Sequence, residues 1–243
     1  MRTIIIIPAR YGSSRLPGKP LVDILGKPMI RLVYERASLV KGIAEVVVAT
    51  DHALIAGVVT GFGGKVEMTS ENHPTGSDRL VEVMGKVSAD LYINLQCDEP
   101  LVRPEDIECL VAGMQQNPLI QVGTLCHYIS LAEAQKPHCV KVVLAASGEA
   151  LYFSRSPIPY ARDIAAAKFR KHIGVYAFRP EALVKFGSMP RSMLEQAEML
   201  EQLRLLEAGI RVHVFEVAPT GPGVDNPASL AQVCAIIAGA DPA

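Results

Sequence analysis

Cationic side chains follow the first apolar run of the chain at short intervals. The segment IIIIPARYGSSRLPGKP, residues 4–20, places Arg10, Arg15 and Lys19 among glycines, serines and prolines. Such a turn after a strand directs backbone N–H groups and cations towards one point, as nucleotide phosphates require. The segment is neither a P-loop, because a proline follows its lysine, nor a GxGxxG dinucleotide turn. We therefore expect a phosphate-binding loop of another kind, the alternative being an exposed basic loop.

Carboxylates follow apolar runs at two later places. NLQCDEP, residues 94–100, puts Asp98 and Glu99 where a strand ends, and GPGVDNPASL, residues 221–230, puts Asp225 among glycines and prolines. Alternation along a strand lets one member of the first pair face a ligand, and we expect Asp98 to do so. Mg²⁺ is commonly held by one or two carboxylates together with substrate phosphates. With the cationic loop, this pattern indicates nucleotidyl transfer.

Structural roles compete with these interpretations. Asp98 and Glu99 could cap a helix that begins near Pro104, and Asp225 could be an ordinary turn or N-cap residue. The adjacent CH and HC pairs of the central region lack the ligand spacing of zinc sites and lie in apolar strand patterns. We therefore expect no zinc site.

Apolar β-branched runs alternate with amphipathic stretches through the first half of the chain. The runs predict strands at 3–7, 45–49, 91–95 and 120–125. The stretches predict helices at 28–40, 52–61, 77–87 and 104–116. This alternation is typical of a doubly wound α/β fold with a mostly parallel central sheet, in which ligands bind beyond the carboxyl ends of the strands. The cationic loop and the first acidic pair both follow such ends.

The pattern changes near residue 139. Two runs flank a turn at Gly148 and predict an antiparallel hairpin, and HIGVYAFRP predicts a further strand. SMLEQAEMLEQLRLLEAG predicts one long helix that ends at Gly209, and a last helix is predicted to begin near Pro227. We interpret residues 1–243 as a single domain with an inserted antiparallel subdomain for substrate or dimer contacts at about 139–190.

The composition favours a small-molecule partner and a reducing compartment. Lysine and arginine number 24 against 25 acidic residues, so we expect neither a nucleic-acid partner nor a membrane surface. Hydrophobic residues make up 49% of the chain, which suits a sheet buried on both faces. Five scattered cysteines do not suit a disulfide scaffold, and the first apolar run is too short for a signal or membrane segment. We therefore expect a cytoplasmic protein.

Segments in order along nearly the whole chain carry a family resemblance. They are IIIIPARYGSSRLPGKPL, VVVATD, HPTGSDRL, INLQCDEP, ALYFSRSPIPY, KHIGVYAF, EMLEQLRLLE and GPGVDNPASL. Together they resemble the 3-deoxy-manno-octulosonate (Kdo) cytidylyltransferase family, the CMP-Kdo synthetases. The resemblance implies a Rossmann-like nucleotidyltransferase fold, a homodimer formed through the inserted subdomain, and a requirement for Mg²⁺. It also implies transfer of CMP from CTP to the anomeric hydroxyl of Kdo with release of pyrophosphate, which activates Kdo for lipopolysaccharide synthesis.

The resemblance assigns roles to single residues. Arg10, Arg15 and Lys19 would surround the triphosphate, where fixed cations stabilise the charge that grows on the leaving pyrophosphate. Asp98 and Asp225 would hold Mg²⁺, and with Arg10 and Lys19 they form the predicted catalytic set. Recognition of cytosine falls to Pro8 and Ala9 through their backbone and to Asp51, Ser77, Arg79 and Gln96. The Kdo pocket falls to Arg155, His172, Tyr176, Glu201 and Gln202.

Departures from the family pattern accompany this assignment. The family typically has glycine where this chain has Cys97, and it often has VDTPEDL where this chain has VDNPASL. We expect the Cys97 thiol near the nucleotide, the alternative being a buried strand residue that faces away. Taken alone, Asp51 is more often a helix N-cap and His172 a structural histidine. The runner-up substrates are 8-amino-Kdo and sialate, and the rival from another class is a nucleotide-binding module without activity.

Overall fold

The computed structural model describes residues 1–12, 16–73, 76–164 and 167–239. Contacts between residues divide the chain into two compact units, Met1–Glu108 with Thr220–Ala243, and Cys109–Pro219. The interpretation as a single domain with a subdomain at about 139–190 stays a prediction from the sequence.

The first unit is built on a parallel sheet. Its strands are β1 (Thr3–Ala9), β2 (Asp23–Ile24), β3 (Lys27–Pro28), β4 (Glu45–Thr50), β5 (Lys65–Met68) and β6 (Leu91–Leu95). β6, β1, β4 and β5 pair in that order and in parallel, while β2 and β3 form a separate hairpin. Every residue of β1 is buried, which accounts for its unbroken run of isoleucines. The parallel arrangement is confirmed, and the carboxyl ends of β1 and β6 lie side by side.

Helices occur in both units. In chain order they are α1 (Met29–Ala37), α2 (Ala53–Gly61), α3 (Gly76–Lys86), α4 (Pro104–Gln116), α5 (Leu131–Ala134), α6 (Pro180–Ser188), α7 (Met193–Glu198), α8 (Leu203–Glu207) and α9 (Pro227–Ile237). α4 has its predicted bounds and α9 its predicted start. The sequence does not predict β5, because KVEM has no apolar run, and the structure shows this strand only partly buried. Over the part of the chain that is described, no helix is long and apolar enough to cross a membrane.

The strands of the second unit run mainly antiparallel. They are β7 (Val122–Ile129), β8 (Lys141–Leu144), β9 (Ala150–Ser154), β10 (Phe169–Phe178) and β11 (Val212–Glu216). β8 and β9 form the predicted hairpin, with Gly148 in its turn at φ +86°. β7 was predicted in the parallel series, but it pairs antiparallel with β10 and parallel with β11. A hairpin rather than a single crossover helix separates β7 from β10, which permits the antiparallel pairing.

The prediction of one long helix over residues 192–209 is wrong. The chain forms α7 and α8 instead, and Met199 between them takes a left-handed conformation with φ +52°. Along a continuous helix, Glu195 and Arg204 would lie about 13 Å apart. The break turns the chain back, so that the Arg204 guanidinium donates two hydrogen bonds of 2.7 Å to the buried Glu195 carboxylate. The ion pair and an unbroken helix are therefore mutually exclusive.

We expect Arg204→Met to lower the free energy of unfolding by about 3 kcal/mol, because it leaves the buried Glu195 carboxylate without this partner. Arg191→Met is the matched control. Arg191 approaches the same carboxylate at 3.9 Å from a half-exposed position, so its loss should cost less than about 1 kcal/mol. Urea denaturation measures both values, and equal losses would contradict the role given to the buried pair.

Candidate functional site

A tight turn holds the cationic loop at the end of β1. The Gly18 N–H donates to the Tyr11 carbonyl oxygen at 3.2 Å, and Gly18 takes φ +65° with the Tyr11 ring against it. Lys19 follows in a short 3₁₀ turn, with its side chain 13% exposed. Arg10 is exposed directly after β1, and Arg15 lies outside the described residues. The turn therefore directs Lys19 inwards at the carboxyl edge of the sheet.

The ammonium group of Lys19 joins two predicted carboxylates. Its Nζ lies 2.5 Å from Asp98 Oδ2 and 3.3 Å from Asp225 Oδ1. Burial by itself would lower the pKa of Lys19, but the charge and hydrogen bond of Asp98, with the charge of Asp225, raise the pKa overall. Lys19 is therefore a cation at neutral pH.

The Asp225 loop reaches Asp98 through a close backbone approach. The Val224 N–H donates to the Asp98 carbonyl oxygen at 2.8 Å, and a Cβ on Gly223 would lie 3.1 Å from the same oxygen. Glycine permits this approach. Asn226 caps α9, because its side chain accepts a backbone N–H of the first turn. The N-cap alternative for Asp225 is therefore wrong, and its carboxylate contacts Lys19 instead.

The carboxylate oxygens of Asp98 and Asp225 are suitable ligands for a hard divalent cation that also binds substrate oxygens. A single nitrogen contacts both Asp98 and Asp225, so the two carboxylates converge on one position at which positive charge is stable. Within the described ranges, no group of three or more histidine, cysteine, aspartate or glutamate side chains could hold a metal ion. One or two carboxylates with substrate phosphates are the usual Mg²⁺ ligands in proteins. Asp98 and Asp225 therefore suit Mg²⁺ bound jointly with a phosphate.

Arg79 and Asp51 form a buried ion pair beyond β4. Arg79 Nη2 donates to Asp51 Oδ2, and Arg79 Nη1 donates to Thr69 Oγ1 at 2.7 Å. The second oxygen of Asp51 is buried and accepts no hydrogen bond from the residues that the structure describes. His52, not Asp51, caps α2, so the N-cap alternative for Asp51 is wrong. A buried oxygen without a partner is costly, and Asp51 Oδ1 is suited to accept a bond from a ligand donor.

The first residue of α3 lies against other predicted nucleotide-binding residues. A Cβ on Gly76 would lie 3.2 Å from Pro8 Cγ and 3.7 Å from Gln96 Nε2. Ser77 follows and is buried, and Ala9 is fully buried at the end of β1. The fold therefore brings these predicted residues together where β1 and β6 end.

The Cys97 thiol lies among the charges of the same region. Burial raises the pKa of this thiol to about 12. The Asp98 carboxylate acts in the same direction, while the nearby cations Lys19 and Arg10 act against it. The thiol is therefore beside predicted nucleotide-binding residues, and it is protonated at neutral pH.

Predicted sugar-binding residues meet in the second unit. His172 Nε2 and Thr124 Oγ1 are 3.0 Å apart, and the rings of His172 and Tyr176 lie 5.2 Å apart between centroids. Burial lowers the pKa of His172 to about 3, so the imidazole is neutral. Burial, and then the charge of Glu201, raise the pKa of Tyr176. Contact of the buried Tyr176 hydroxyl with Thr124 acts against this rise, although it does not reach full hydrogen-bond geometry within the described residues.

Arg155 contacts the break between α7 and α8. Its Nε donates to the Glu198 carbonyl oxygen at 2.8 Å and its Nη2 to the Met199 carbonyl oxygen at 3.4 Å. Glu201 and Gln202 follow Met199 after one intervening leucine, and Gln202 is buried. The broken helix, rather than a continuous one, therefore carries both of these predicted residues.

Four residues that contact the two predicted sites or their loops are not predicted from the sequence. They are Tyr11, whose ring stacks on His52 at 4.1 Å between centroids, and Thr124, Lys141 and Glu198. Lys141 did carry a signal, because a lysine inside the apolar run CVKVVLA must either be exposed or find partners in the core. The other three have no such signal, since their roles depend on partners far away in the sequence.

Comparisons with known sequences identify related proteins. A family model described as cytidylyltransferase matches residues 4–212. The chain is 59% identical to a 3-deoxy-manno-octulosonate cytidylyltransferase of Escherichia coli over 237 residues, which are 98% of this chain and 96% of the relative. It is 47% identical to the protein of the same name from Geobacter sulfurreducens over 245 residues, which are 96% of this chain and 98% of the relative.

Solved structures show the same fold. A CMP:2-keto-3-deoxy-manno-octonic acid synthetase complexed with CTP is 58% identical and has a TM-score of 0.95, covering 98% of this chain and 99% of that chain. A cytidylyltransferase from Leptospira borgpetersenii is 20% identical, with a TM-score of 0.59 over 93% of this chain and 79% of that chain, and shares the fold alone. The predicted α/β nucleotidyltransferase fold with a mostly parallel sheet is confirmed.

The buried neutral state of His172 makes stability depend on pH. Its pKa is depressed to about 3 in the fold, so the unfolded chain takes up a proton first as the pH falls below about 6.5. This contribution to stability is present above pH 6.5 and is lost towards pH 3. Between pH 7 and pH 5, the wild type should lose about 2 kcal/mol more than His172→Asn. Urea denaturation at both pH values measures this, and parallel losses would contradict it.

Proposed function

This chain belongs to the cytidylyltransferase family, and we propose that it transfers CMP from CTP to the anomeric hydroxyl of Kdo and releases pyrophosphate. The product, CMP-Kdo, is the activated sugar for lipopolysaccharide synthesis. The observation that carries the proposal is the convergence of Lys19, Asp98 and Asp225 in a chain that is 59% identical to a Kdo cytidylyltransferase over almost its whole length.

Residues of the first unit act on the nucleotide. Lys19 and Arg10 bring fixed positive charge to the triphosphate, where negative charge grows on the leaving pyrophosphate. Asp98 and Asp225 would hold Mg²⁺, which lowers the pKa of the attacking hydroxyl and screens the two anionic substrates. Asp51 Oδ1, buried without a partner among the described residues, accepts a hydrogen bond from the cytosine amino group. Asp98 and Asp225 thus act at the triphosphate of CTP, and Asp51 acts at its cytosine.

Residues of the second unit bind the sugar acid. Arg155 supplies a cation for the Kdo carboxylate, as bidentate recognition of carboxylates requires. The neutral His172 and the buried hydroxyl of Tyr176 offer hydrogen bonds to sugar hydroxyls. Glu201 and Gln202 supply further acceptors and donors from the break after α7. This set matches a polyhydroxylated acid rather than an apolar ligand.

Kdo is the proposed sugar because both high-identity relatives carry its name, which does not favour the 8-amino-Kdo or sialate alternative. The Mg²⁺ requirement and the homodimer are proposed on the sequence resemblance, and the cytoplasmic location on the five scattered cysteines. For Mg²⁺, the converging carboxylates of Asp98 and Asp225 give additional support.

A substrate panel tests the proposed function. The purified protein is incubated with CTP, Mg²⁺ and either Kdo, 8-amino-Kdo or sialate, and pyrophosphate release is measured with and without a chelator. We expect the fastest release with Kdo and none after chelation. Faster release with another acid would reassign the substrate. CTP binding without release for any acid would favour the inactive nucleotide-binding module.

We expect Asp98→Asn and Asp225→Asn each to lower kcat by at least about 10²-fold, because either change removes a charge that holds Mg²⁺ at the reacting phosphate. Asp23→Asn is the control, since that exposed carboxylate accepts a local N–H in the β2–β3 hairpin. Circular dichroism verifies the fold of each variant. Near-wild-type turnover in one of the two site variants would remove that residue from the mechanism.

A further inference from the structure

Lys141 is a fully buried lysine whose partners are backbone carbonyls. It lies on β8, and its Nζ donates to the carbonyl oxygens of Cys139 at 2.6 Å, Arg155 at 2.5 Å and Lys136 at 3.3 Å. Three carbonyls match the three N–H bonds of an ammonium group. Lys141 therefore links the backbone of the turn at 136–139 to the carbonyl oxygen of Arg155 through hydrogen bonds.

Burying the ammonium group of Lys141 costs free energy, which its hydrogen bonds must offset. Transfer of an ammonium group from water to a protein interior is unfavourable, and burial accordingly lowers the pKa of Lys141. An aliphatic side chain would fill the same strand position without that cost. The three hydrogen bonds to carbonyls are what a lysine adds here.

Glu198 fixes the other side of Arg155. Its Oε2 accepts the Arg155 backbone N–H at 2.9 Å, and its Oε1 accepts the Ser154 hydroxyl at 2.5 Å. With Lys141 on the Arg155 carbonyl oxygen, both backbone polar groups of Arg155 are held by charged side chains. Charge-assisted hydrogen bonds of this kind are stronger than neutral ones.

The guanidinium of Arg155 is oriented by further carbonyls. Nε donates to Glu198 O, Nη1 to Pro137 O at 3.2 Å and Nη2 to Met199 O at 3.4 Å. These bonds use three of the five N–H groups of an arginine and leave one on each terminal nitrogen. Two such N–H groups are the number that a bidentate carboxylate contact uses.

We propose that Lys141 and Glu198 are positioning residues for the sugar-acid site: they clamp the backbone of Arg155, so that its guanidinium presents its two remaining N–H groups to the Kdo carboxylate. The inference rests on the proposed function, which supplies the carboxylate. Neither residue touches the substrate. Their effect reaches the reaction through the position of Arg155, where a displacement of about 1 Å can cost a large factor in rate.

Kinetics with both substrates test the clamp. Lys141→Met keeps the length of the side chain and removes all three donors, and Glu198→Gln keeps the shape and removes the charge. We expect each variant to raise the KM for Kdo about tenfold or more, while the KM for CTP stays within about twofold, because Arg155 does not serve the nucleotide. Lys141→Arg should restore part of the affinity for Kdo. Lys185→Met, which removes an exposed lysine of α6, is the matched control and should change neither constant.

The outcomes separate the clamp from the proposed function. Wild-type protein that releases no pyrophosphate with Kdo overturns the function, and the clamp with it. Active wild-type protein with unchanged KM for Kdo in both variants overturns the clamp alone. Equal increases in both KM values also overturn it, because they indicate general loss of structure. If Lys141→Met does not fold, Glu198→Gln decides between these outcomes by the same two constants.

Discussion

The contact of one ammonium group with two carboxylates is the interaction on which the first unit depends. Lys19 lies 79 residues before Asp98 and 206 residues before Asp225, so only the fold can bring the three charges together. The parallel order of β6, β1 and β4 places two of the three segments at one edge of the sheet. The third arrives because Gly223 has no side chain to hold it away from the Asp98 backbone. The two partly exposed carboxylates offset the desolvation of the Lys19 ammonium group, and this contact forms only when all three segments are in place.

The second unit also contains charged side chains, and these are buried and stabilised by other contacts. Its buried charges are Lys141, Glu195 and Arg204, and each is matched by carbonyls or by an opposite charge. A satisfied polar network in a core restricts the chain to the arrangement in which every partner is present. The Glu195–Arg204 pair selects the break at Met199, and the break places Glu201 and Gln202 outside a regular helix. Stability and the shape of the proposed sugar site therefore arise from the same contacts.

Local patterns in the sequence predicted the elements whose causes are local. β6, α4 and the start of α9 follow from apolar periodicity, a helix-starting proline and turn residues within a few positions. The α7–α8 break could not be predicted this way, because its cause is an ion pair nine residues apart that a helical pattern conceals. The same limit applies to β7, since its antiparallel partner β10 lies beyond an intervening hairpin.

Residue type alone restricts the chemistry at one point of the predicted site. Carboxylates beside apolar strands need a compensating positive charge, and Asp98 and Asp225 share the ammonium group of Lys19. The capping roles considered for Asp51 and Asp225 were reasonable for isolated residues, but their neighbours His52 and Asn226 take those roles. Which of two adjacent residues caps a helix depends on one φ, ψ pair, and composition does not determine it.

Cys97 carries a consequence for how the protein withstands oxidants. Peroxides and disulfides react with the thiolate form of cysteine. Burial raises the pKa of Cys97 to about 12, so the thiol and not the thiolate predominates at neutral pH. Burial is the main cause of this rise, and the charge of the neighbouring Asp98 acts in the same direction. A cysteine beside Asp98 is therefore held as the less nucleophilic thiol, whereas the exposed sulfur of Cys109 is the more accessible to an oxidant in solution.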